Sequence, residues 1–268
     1  MCYGLLQGPK YLCEVAHTMF KGELTLSRAR GAKAQKRMQV QENTINFNQA
    51  LKTQHRHIEL VPKSRNQESL IVNLLDPSQH IVVAVGPAGT GKTYLAMQAA
   101  IKALKQGQCE RIVLTRPAVG VEDERHGFLP GDLISKMEPW TRPLLDVLRE
   151  YYRPQDIVKM MDDQIIEISP LAYMRGRTFK SAWIIADEMQ NATPGQMKML
   201  LSRIGCGSKI VVTGDVEQTD RAKNDNGLLD LCERLKAQNA NGLCVNTLGK
   251  RDIQRHPIID TVLSLYST

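Results

Sequence analysis

Apolar residues group into short runs that recur along the chain from about residue 61 onward. We predict strands at Ile81–Val85, Arg111–Thr115, 164–168, Ala182–Ala186, 209–213 and 243–248, with helical segments in most of the intervals between them. Strands that alternate with helices are typical of a parallel sheet flanked by helices. The pattern therefore predicts an α/β domain at 61–268, preceded by an extension at 1–60.

A long insertion rich in glycine, proline and charge interrupts the alternation at 116–163. It closes with two predicted helical stretches, at 143–151 and 154–161. Long insertions in α/β domains usually carry function. We therefore expect the insertion to contribute to activity or recognition.

The extension is the basic part of the chain. Residues 1–80 carry 11 lysines and arginines against 6 acids, and five cations fall within 28–37. Arg28, Arg30 and Lys33 belong to this run and are candidate contacts to RNA or DNA phosphates, because basic runs attract nucleic acid. A flexible, solubilising tail is the alternative.

Composition limits the class of protein. With 268 residues and 42% hydrophobic content, the chain has room for one large α/β domain plus the extension. Its six cysteines show no C-x-x-C pair, so we predict reduced thiols rather than a zinc site or a disulfide framework. No apolar run approaches the ~20 residues that span a bilayer. We predict a soluble, cytoplasmic protein without a membrane partner.

A glycine-rich octapeptide follows the first predicted strand and opens the helix after it. It consists of Gly86, Pro87, Ala88, Gly89, Thr90, Gly91, Lys92 and Thr93, and it fits the phosphate-binding loop pattern at every fixed position. Glycines let backbone N–H groups wrap closely around a triphosphate at a helix N-terminus. Lys92 would reach the β and γ phosphates and Thr93 would hold Mg²⁺, while Tyr94 completes the predicted nucleotide-binding set. A chance glycine turn is the alternative.

Two carboxylates, Asp187 and Glu188, end the strand Ala182–Ala186. Asp187 would hold Mg²⁺ through water, and Glu188 would polarise a water for attack on the γ-phosphate. A strand-end turn is the alternative. The adjacent glutamate favours a hydrolase over a P-loop kinase, which has to exclude such a base.

A third polar group, at 213–218, follows the strand at 209–213. Thr213, Asp215 and Gln218 would lie at the carboxyl edge of the sheet, where open α/β folds bind ligands. We assign γ-phosphate sensing and water positioning chiefly to Gln218. The alternative is a turn built on the side chain of Asp215.

Seven blocks in order give the chain a family resemblance over 62–266. They are GPAGTGKT at 86–93, TRPAV at 115–119, GFLPGD at 127–132, MRGRTF at 174–179, DEMQN at 187–191, TGD with Gln218 at 213–218, and RD with RHP at 251–257. Together they resemble the ATPase domain of the PhoH family, P-loop proteins related to superfamily 1 helicases. Met189, where alanine is common, and the stretch 120–126 depart from the usual pattern.

The resemblance implies further roles. Gln67 matches the glutamine that reads the adenine edge, which would favour ATP over GTP. The strand ending at Thr213 would lie between the phosphate-loop strand and the Asp187 strand. RNA or single-stranded nucleic acid is the implied partner. Residues 1–60 show none of the acidic spacing of a PIN nuclease domain, which some relatives carry.

Helicase-like sites lie between two RecA-like lobes, and the second lobe supplies an arginine to the γ-phosphate. This chain has the length of one lobe, so we expect the arginine to come from another subunit of a homo-oligomer, such as a hexameric ring. Arg255, with Arg251, is the candidate, since an arginine finger contributes ~10³ to 10⁵ in rate. A salt bridge between Arg255 and Asp252 is the alternative.

Three other arginines, Arg116, Arg175 and Arg177, follow or flank strands near the predicted active edge. A guanidinium suits phosphate groups, so these residues are candidates for nucleotide or nucleic-acid contacts. Buried ion pairs with the acids at 122–124 are the alternative. The sequence thus predicts an ATP hydrolase that couples turnover to RNA or single-stranded nucleic acid. The alternative hypothesis is an ATP-dependent binding or assembly switch without motor activity.

Overall fold

The computed structural model describes residues 58–117, 138–219, 225–238 and 240–254, together with Ile258 and Leu265. In chain order the elements are α1 (Arg65–Leu75), β1 (Ile81–Val85), α2 (Lys92–Lys105), β2 (Arg111–Thr115), α3 (Glu138–Arg149), α4 (Pro154–Asp162), β3 (Ile166–Ile168), β4 (Ala182–Ala186), α5 (Pro194–Leu201), β5 (Lys209–Gly214), α6 (Gly227–Ala237) and β6 (Leu243–Thr247). Short 3-10 turns at Leu171–Met174, Met189–Asn191 and Lys250–Asp252 connect some of them. The basic run at 28–37, residues 118–137 of the insertion and Arg255 lie outside the described residues.

The described residues divide into two compact units. One contains Ile58 with 138–168, and the other contains 59–117 with the described residues from 169 onward. In the first unit, α3 and α4 pack through buried apolar residues that include Leu148 and Ile157. The octapeptide and the polar strand ends belong to the second unit.

Five strands of the second unit form a parallel sheet in the order β2-β4-β5-β1-β6. Ile210 of β5 pairs with Ile81 of β1 on one side and with Ile184 of β4 on the other. Strand β5 therefore lies between the phosphate-loop strand and the Asp187 strand, as the family resemblance implies. Because the strands are parallel, their carboxyl ends meet at one edge of the sheet.

Helices cover both faces of this sheet. Helices α5 and α6 pack through Met197, Leu200 and Leu228 against alternate strand residues such as Ile184 and Val212. Helices α1 and α2 also contact the strands, but their buried residues are absent from that cluster, so they cover the opposite face. The predicted α/β architecture is confirmed.

Backbone conformation explains where strand limits differ from the prediction. Strand β3 begins at Ile166 rather than at 164, because Gln164 has φ +57° and cannot belong to an extended strand. Strand β5 includes Gly214 and β6 ends at Thr247, each one residue from the predicted limit. Helix α3 begins before the predicted 143 and carries Pro143 inside it.

Within the described part of the chain, every helix is too short or too polar to cross a bilayer. Cys109, Cys206, Cys232 and Cys244 are free thiols. Burial raises the pKa of the Cys109 thiol to about 12. A thiol with so high a pKa is inert as a nucleophile near neutral pH.

Candidate nucleotide site

Glycine is required where the phosphate-binding loop leaves β1. Gly86 has φ +149°, and a Cβ there would lie 2.3 Å from the carbonyl oxygen of Leu248. Gly89 and Gly91 also have positive φ values, of 84° and 80°. Only glycine adopts these conformations at low cost, so the loop geometry explains the spacing of the octapeptide.

Lys92, the first residue of α2, points its ammonium group back into the loop. It is 8% exposed, and its Nζ donates to the carbonyl oxygens of Gly86 at 2.6 Å and Pro87 at 2.8 Å. The Thr90 hydroxyl donates to the same Pro87 carbonyl at 2.8 Å. A buried cation at a helix N-terminus, inside a ring of backbone groups, is suited to hold phosphate.

Three oxygen-bearing side chains meet beside the loop. Asp187 Oδ1 accepts hydrogen bonds from the hydroxyls of Thr93 at 2.7 Å and Thr213 at 2.5 Å. These side chains come from the start of α2 and from the ends of β4 and β5, which the strand order brings together. Mg²⁺ prefers one or two carboxylate or hydroxyl oxygens together with water and phosphate, so the donor set fits this ion.

Glu188 has a strained backbone and a fixed side chain. Its φ is +55°, a left-handed conformation that is uncommon outside glycine. Its Oε2 accepts from Gln190 Nε2 at 2.5 Å, and Gln190 Oε1 accepts from the backbone N–H of Asp215 at 3.1 Å. Gln190 is 2% exposed, so it ties the end of β4 to the end of β5 from a buried position.

Sequence reasoning gave Gln190 no role, although it belongs to the DEMQN block. The sequence carries one further signal of a close contact, because a glycine, Gly214, directly follows the predicted strand at 209–213. A Cβ on Gly214 would lie 2.5 Å from Gln190 Oε1, so glycine there makes room for the amide. Thr219 Oγ1 donates to the Gln190 carbonyl oxygen at 3.2 Å and fixes its backbone as well.

The turn after β5 is built on Asp215. Its Oδ1 accepts from the backbone N–H of Glu217 at 3.0 Å, and its carbonyl oxygen accepts from the N–H of Gln218 at 3.2 Å. The alternative given for this segment, a turn formed by the Asp215 side chain, is therefore present. The side chain of Gln218 is exposed at the carboxyl edge, and its role in positioning water stays a prediction.

Gln67 lies against the phosphate-binding loop and is only 4% exposed. Its Nε2 donates to the Thr90 carbonyl oxygen at 3.0 Å, and its Oε1 accepts from the Lys63 N–H at 2.8 Å. The first turn of α1 fixes it further, since the Ser64 hydroxyl caps the helix by accepting from the Gln67 N–H. Tyr94, 40% exposed, accepts from Gln98 Nε2 at 3.0 Å on α2.

A buried acid that the sequence did not single out as a site residue holds α1 and the segment after β6 together. Asp252, 2% exposed, accepts through Oδ2 from Asn66 Nδ2 at 2.8 Å and from the Gly249 N–H at 2.6 Å. Two residues later, the N–H of Gln254 donates to the Gly89 carbonyl oxygen at 2.9 Å. The same segment thus contacts both the α1 start and the phosphate-binding loop.

Electrostatics at Asp252 reflect these contacts. Burial raises the pKa of its carboxyl, but hydrogen bonds from Asn66, Ser64 and Gly249 outweigh burial, and the pKa lies below its ordinary value. The carboxylate is therefore charged at neutral pH. The proposed salt bridge to Arg255 falls on a residue outside the described part of the chain.

The three internal arginines do not share one edge of the sheet. Arg116 directly follows β2, and its carbonyl oxygen accepts from the Leu171 N–H at 3.3 Å. Arg177 instead stacks 4.5 Å over the ring of Phe179, which pairs with Ile204 ahead of β4 and β5. The expectation that Arg177 flanks the active edge is therefore corrected, because the chain after Arg175 runs back to the amino-terminal edge. Arg28, Arg30 and Lys33 fall outside the described residues.

Comparison with known proteins identifies the family. The sequence model of the family described as PhoH-like protein matches residues 59–267. The chain is 48% identical over 187 residues to a PhoH-like protein of Bacillus subtilis, covering 69% of this chain and 58% of the relative. It is 45% identical over 186 residues to a PhoH-like protein of Synechocystis, covering 69% and 56%.

Among solved structures, one match is a helicase domain. The Hef helicase domain of Pyrococcus furiosus covers 69% of this chain and 38% of its own chain, at 11% identity and a TM-score of 0.41. The chain spans little more than half the length of the curated relatives it matches. The octapeptide, the acid pair and the match to the family model agree, and the chain belongs to the PhoH-like protein family.

Proposed function

We propose that this chain is an ATP hydrolase that couples turnover to RNA or single-stranded nucleic acid. One observation carries the proposal: Lys92 in the loop, the Thr93–Asp187 pair and Glu188 meet at one edge of the sheet. Loop, metal ligands and base are the parts that phosphoryl transfer to water requires.

The side chains divide the work of the reaction. Lys92 and the N–H groups of the loop would bind the β and γ phosphates, in competition with the Gly86 and Pro87 carbonyls. Thr93 and Asp187 would hold Mg²⁺, which neutralises charge on the phosphate oxygens when bound. Glu188 would accept a proton from the attacking water, and Gln190 would keep its carboxylate aimed.

Support for ATP as the nucleotide comes from Gln67. Its amide is fixed beside the loop by Thr90 and Lys63, and each of its polar atoms has capacity for one more hydrogen bond. An adenine edge offers a donor and an acceptor side by side, which matches an amide. We therefore retain Gln67 as the base-reading residue.

The coupling to nucleic acid rests on charge. Arg116, Arg175 and Arg177 in the described region and Arg28, Arg30 and Lys33 in the extension are candidate phosphate contacts. We place the protein in the cytoplasm as part of this proposal. The competing function is a switch, in which ATP controls partner docking and hydrolysis only limits its duration.

ATP hydrolysis with and without RNA tests the proposal. Wild type should hydrolyse ATP faster when polyuridine RNA is added, and Glu188→Gln should bind ATP normally while hydrolysing at least ~100-fold more slowly. Normal turnover by Glu188→Gln would remove Glu188 as the base. An RNA that changes neither ATPase rate nor protein mobility would favour the switch.

We also propose that the active site is shared between subunits of a homo-oligomer, with Arg255 acting in trans. Gln254, the residue before it, bonds to Gly89 in the phosphate-binding loop of the same chain, so an arginine that acts in cis is the alternative to be tested. Mixing Arg255→Ala and Lys92→Ala subunits should restore part of the ATPase activity that each lacks. A monomeric mass with no restoration would contradict the shared site.

A further inference from the structure

We infer that the amino-terminal edge of the sheet is a second binding surface, which takes the phosphate backbone of single-stranded nucleic acid. The surface, called the basic edge below, consists of Arg177, Lys180 and Arg203 at the edge itself, together with Arg175 and Lys198 on the two segments that lead to it. The inference deepens the proposed function, because it rests on nucleic acid being the partner.

Charge is segregated around the nucleotide site. Asp187 and Glu188 are the only acids between 169 and 214, and both lie at the carboxyl edge. The segments on either side of them, 169–186 and 189–214, contain cations and no acid. Two acids from other elements reach the same edge: the exposed Glu110, whose N–H donates to the Ser181 carbonyl oxygen, and Asp76, whose carbonyl oxygen accepts from Lys209 Nζ. Cations still outnumber them, and a surface with excess positive charge attracts polyanions and concentrates them locally.

Hydrogen bonds join the two segments into one surface. Arg203 Nη1 donates to the Arg177 carbonyl oxygen at 3.2 Å, and the Phe179 N–H donates to the Arg203 carbonyl oxygen at 2.9 Å. Phe179 and Ile204 form an isolated parallel bridge. The cations from the two segments are therefore held on a common scaffold rather than on separate loops.

The side chains of the basic edge are accessible and partly fixed. Arg175, Lys180 and Lys198 are exposed, while Arg177 and Arg203 are half-buried. Arg177 is oriented by the ring of Phe179, and the stem of Lys180 lies close enough to Gly205 that a Cβ there would be 2.9 Å from it. Preorganised cations lose less entropy on binding phosphate than free ones.

The basic edge lies at the end of the sheet opposite the nucleotide site. The Phe179–Ile204 bridge precedes β4 and β5, whereas Asp187 and Asp215 follow the same strands. In a parallel sheet the two ends of the strands face opposite directions. A polyanion on the basic edge would therefore leave the phosphate-binding loop open.

One exposed aromatic residue favours nucleic acid over a protein partner. Tyr173 is 61% exposed, and no other large exposed hydrophobic in the described residues falls within 169–214. Protein interfaces have apolar centres and are depleted in lysine, which this surface does not match. Tyr173 lies on the 3-10 turn that precedes Arg175 and begins where the Leu171 N–H donates to the Arg116 carbonyl oxygen. A ring on this approach to the basic edge can stack on a base of any identity, as in sequence-tolerant single-strand binding.

Two triple variants of equal charge test the inference. The first is Arg175→Gln, Lys180→Gln, Lys198→Gln, and the control is Arg153→Gln, Lys159→Gln, Lys236→Gln, which removes the same charges from exposed positions elsewhere. Fluorescence anisotropy of labelled polyuridine RNA is measured from about 50 to 200 mM salt. The melting temperature of each variant shows that it is folded.

We expect the first variant to bind RNA at least ~10-fold more weakly and the control to match wild type within about 2-fold. The slope of log affinity against log salt should fall by about 2, because each single-strand phosphate contact contributes ~0.7. Tyr173→Leu should weaken binding while Tyr173→Phe does not. Equal losses in the two triple variants, or no loss in the first, would overturn the inference.

The experiment separates this inference from the proposed function. RNA that stimulates ATP hydrolysis but binds the first variant as tightly as wild type would contradict the basic edge as a binding surface and still support the proposed function. RNA that binds the first variant more weakly than wild type, but leaves the ATPase rate unchanged, would support the basic edge and contradict the coupling of ATP turnover to RNA. A first variant whose oligomeric mass changes while its RNA affinity does not would make the surface a subunit contact instead.

Discussion

The two edges of the parallel sheet are built from the same strands and have opposite character. At the carboxyl edge, Asp187, Glu188 and Gln190 are fixed by hydrogen bonds to one another and to neighbouring strand ends. At the amino-terminal edge, cations from two acid-free segments face outward. With the functions proposed above, the first edge would depend on exact placement of a few atoms and the second on summed charge. Single substitutions should therefore act strongly at the first edge and gradually at the second.

The largest effect should come from removing the cation at the carboxyl edge. Lys92→Ala should weaken the binding of a fluorescent ATP analogue by ~100-fold or more, because charge-assisted hydrogen bonds of about 3 kcal/mol are lost. Lys102→Ala, on the outer part of the same helix, should bind the analogue like wild type. Tight binding by Lys92→Ala would mean that the loop is not the phosphate site.

The backbone of the carboxyl edge should be nearly as sensitive. Gly86→Ala would place a Cβ against the Leu248 carbonyl and should lower the free energy of unfolding by about 3 kcal/mol. Gly207→Ala, at the amino-terminal edge, meets nothing closer than 3.6 Å and should cost only the ~1 kcal/mol of its positive φ. Chemical denaturation measures both values. Equal costs would show that the loop relaxes around the added methyl.

Substitution of Gln190 tests whether ATP hydrolysis depends on the orientation of Glu188, the proposed base. Gln190→Leu should lower kcat by about tenfold with little change in KM, because a hydrogen bond worth about 1.4 kcal/mol no longer aims Glu188. Gln190→Glu keeps an acceptor for Asp215 but repels Glu188, so its kcat should fall at least as far. A raised KM with an unchanged kcat would instead assign Gln190 to nucleotide binding.

The smallest effect should come from Asp252. Asp252→Asn should lower the free energy of unfolding by about 1 kcal/mol at pH 7, since the amide replaces a charged acceptor of two hydrogen bonds. The folded pKa of Asp252 lies below the unfolded value of about 3.9, so its contribution is present above that pH and lost as pH falls through the folded pKa. The gap between wild type and variant should shrink below about pH 4. If the difference in the free energy of unfolding between wild type and variant grew in acid, it would contradict a lowered pKa of Asp252.

Much of the site could be predicted because it is local in sequence. The phosphate-binding loop is one continuous peptide, and the acids follow a strand that its apolar residues reveal. The contacts of Gln190 and Asp252 could not be found in this way, because their partners lie far along the chain. Asp252, for example, accepts from Asn66, 186 positions away.

The sequence also did not reveal towards which edge of the sheet the segment at 169–181 runs. Residues 169–181 follow β3 and precede β4, so the sequence places Arg175 and Arg177 next to strands without saying which edge they reach. The hydrogen bonds of Phe179 and Ser181 to Arg203 and Cys206 show that the segment runs to the amino-terminal edge. Strand limits were missed by one or two residues, where a positive φ or a terminal glycine decides them.

Helix α5 links the hydrogen-bonded pair Glu188 and Gln190 to the opposite edge of the sheet. The chain from Gln190 passes through the capped start of α5 at Thr193 and leaves it just before Arg203. Eight helical residues form a stiff rod of about 12 Å, capped by a reciprocal pair of side-chain bonds. Such a rod would transmit a displacement of Glu188, the proposed base, to Arg203 at the far edge of the sheet. Hydrogen exchange in α5 that is indifferent to ATP would show that the rod does not transmit such a displacement.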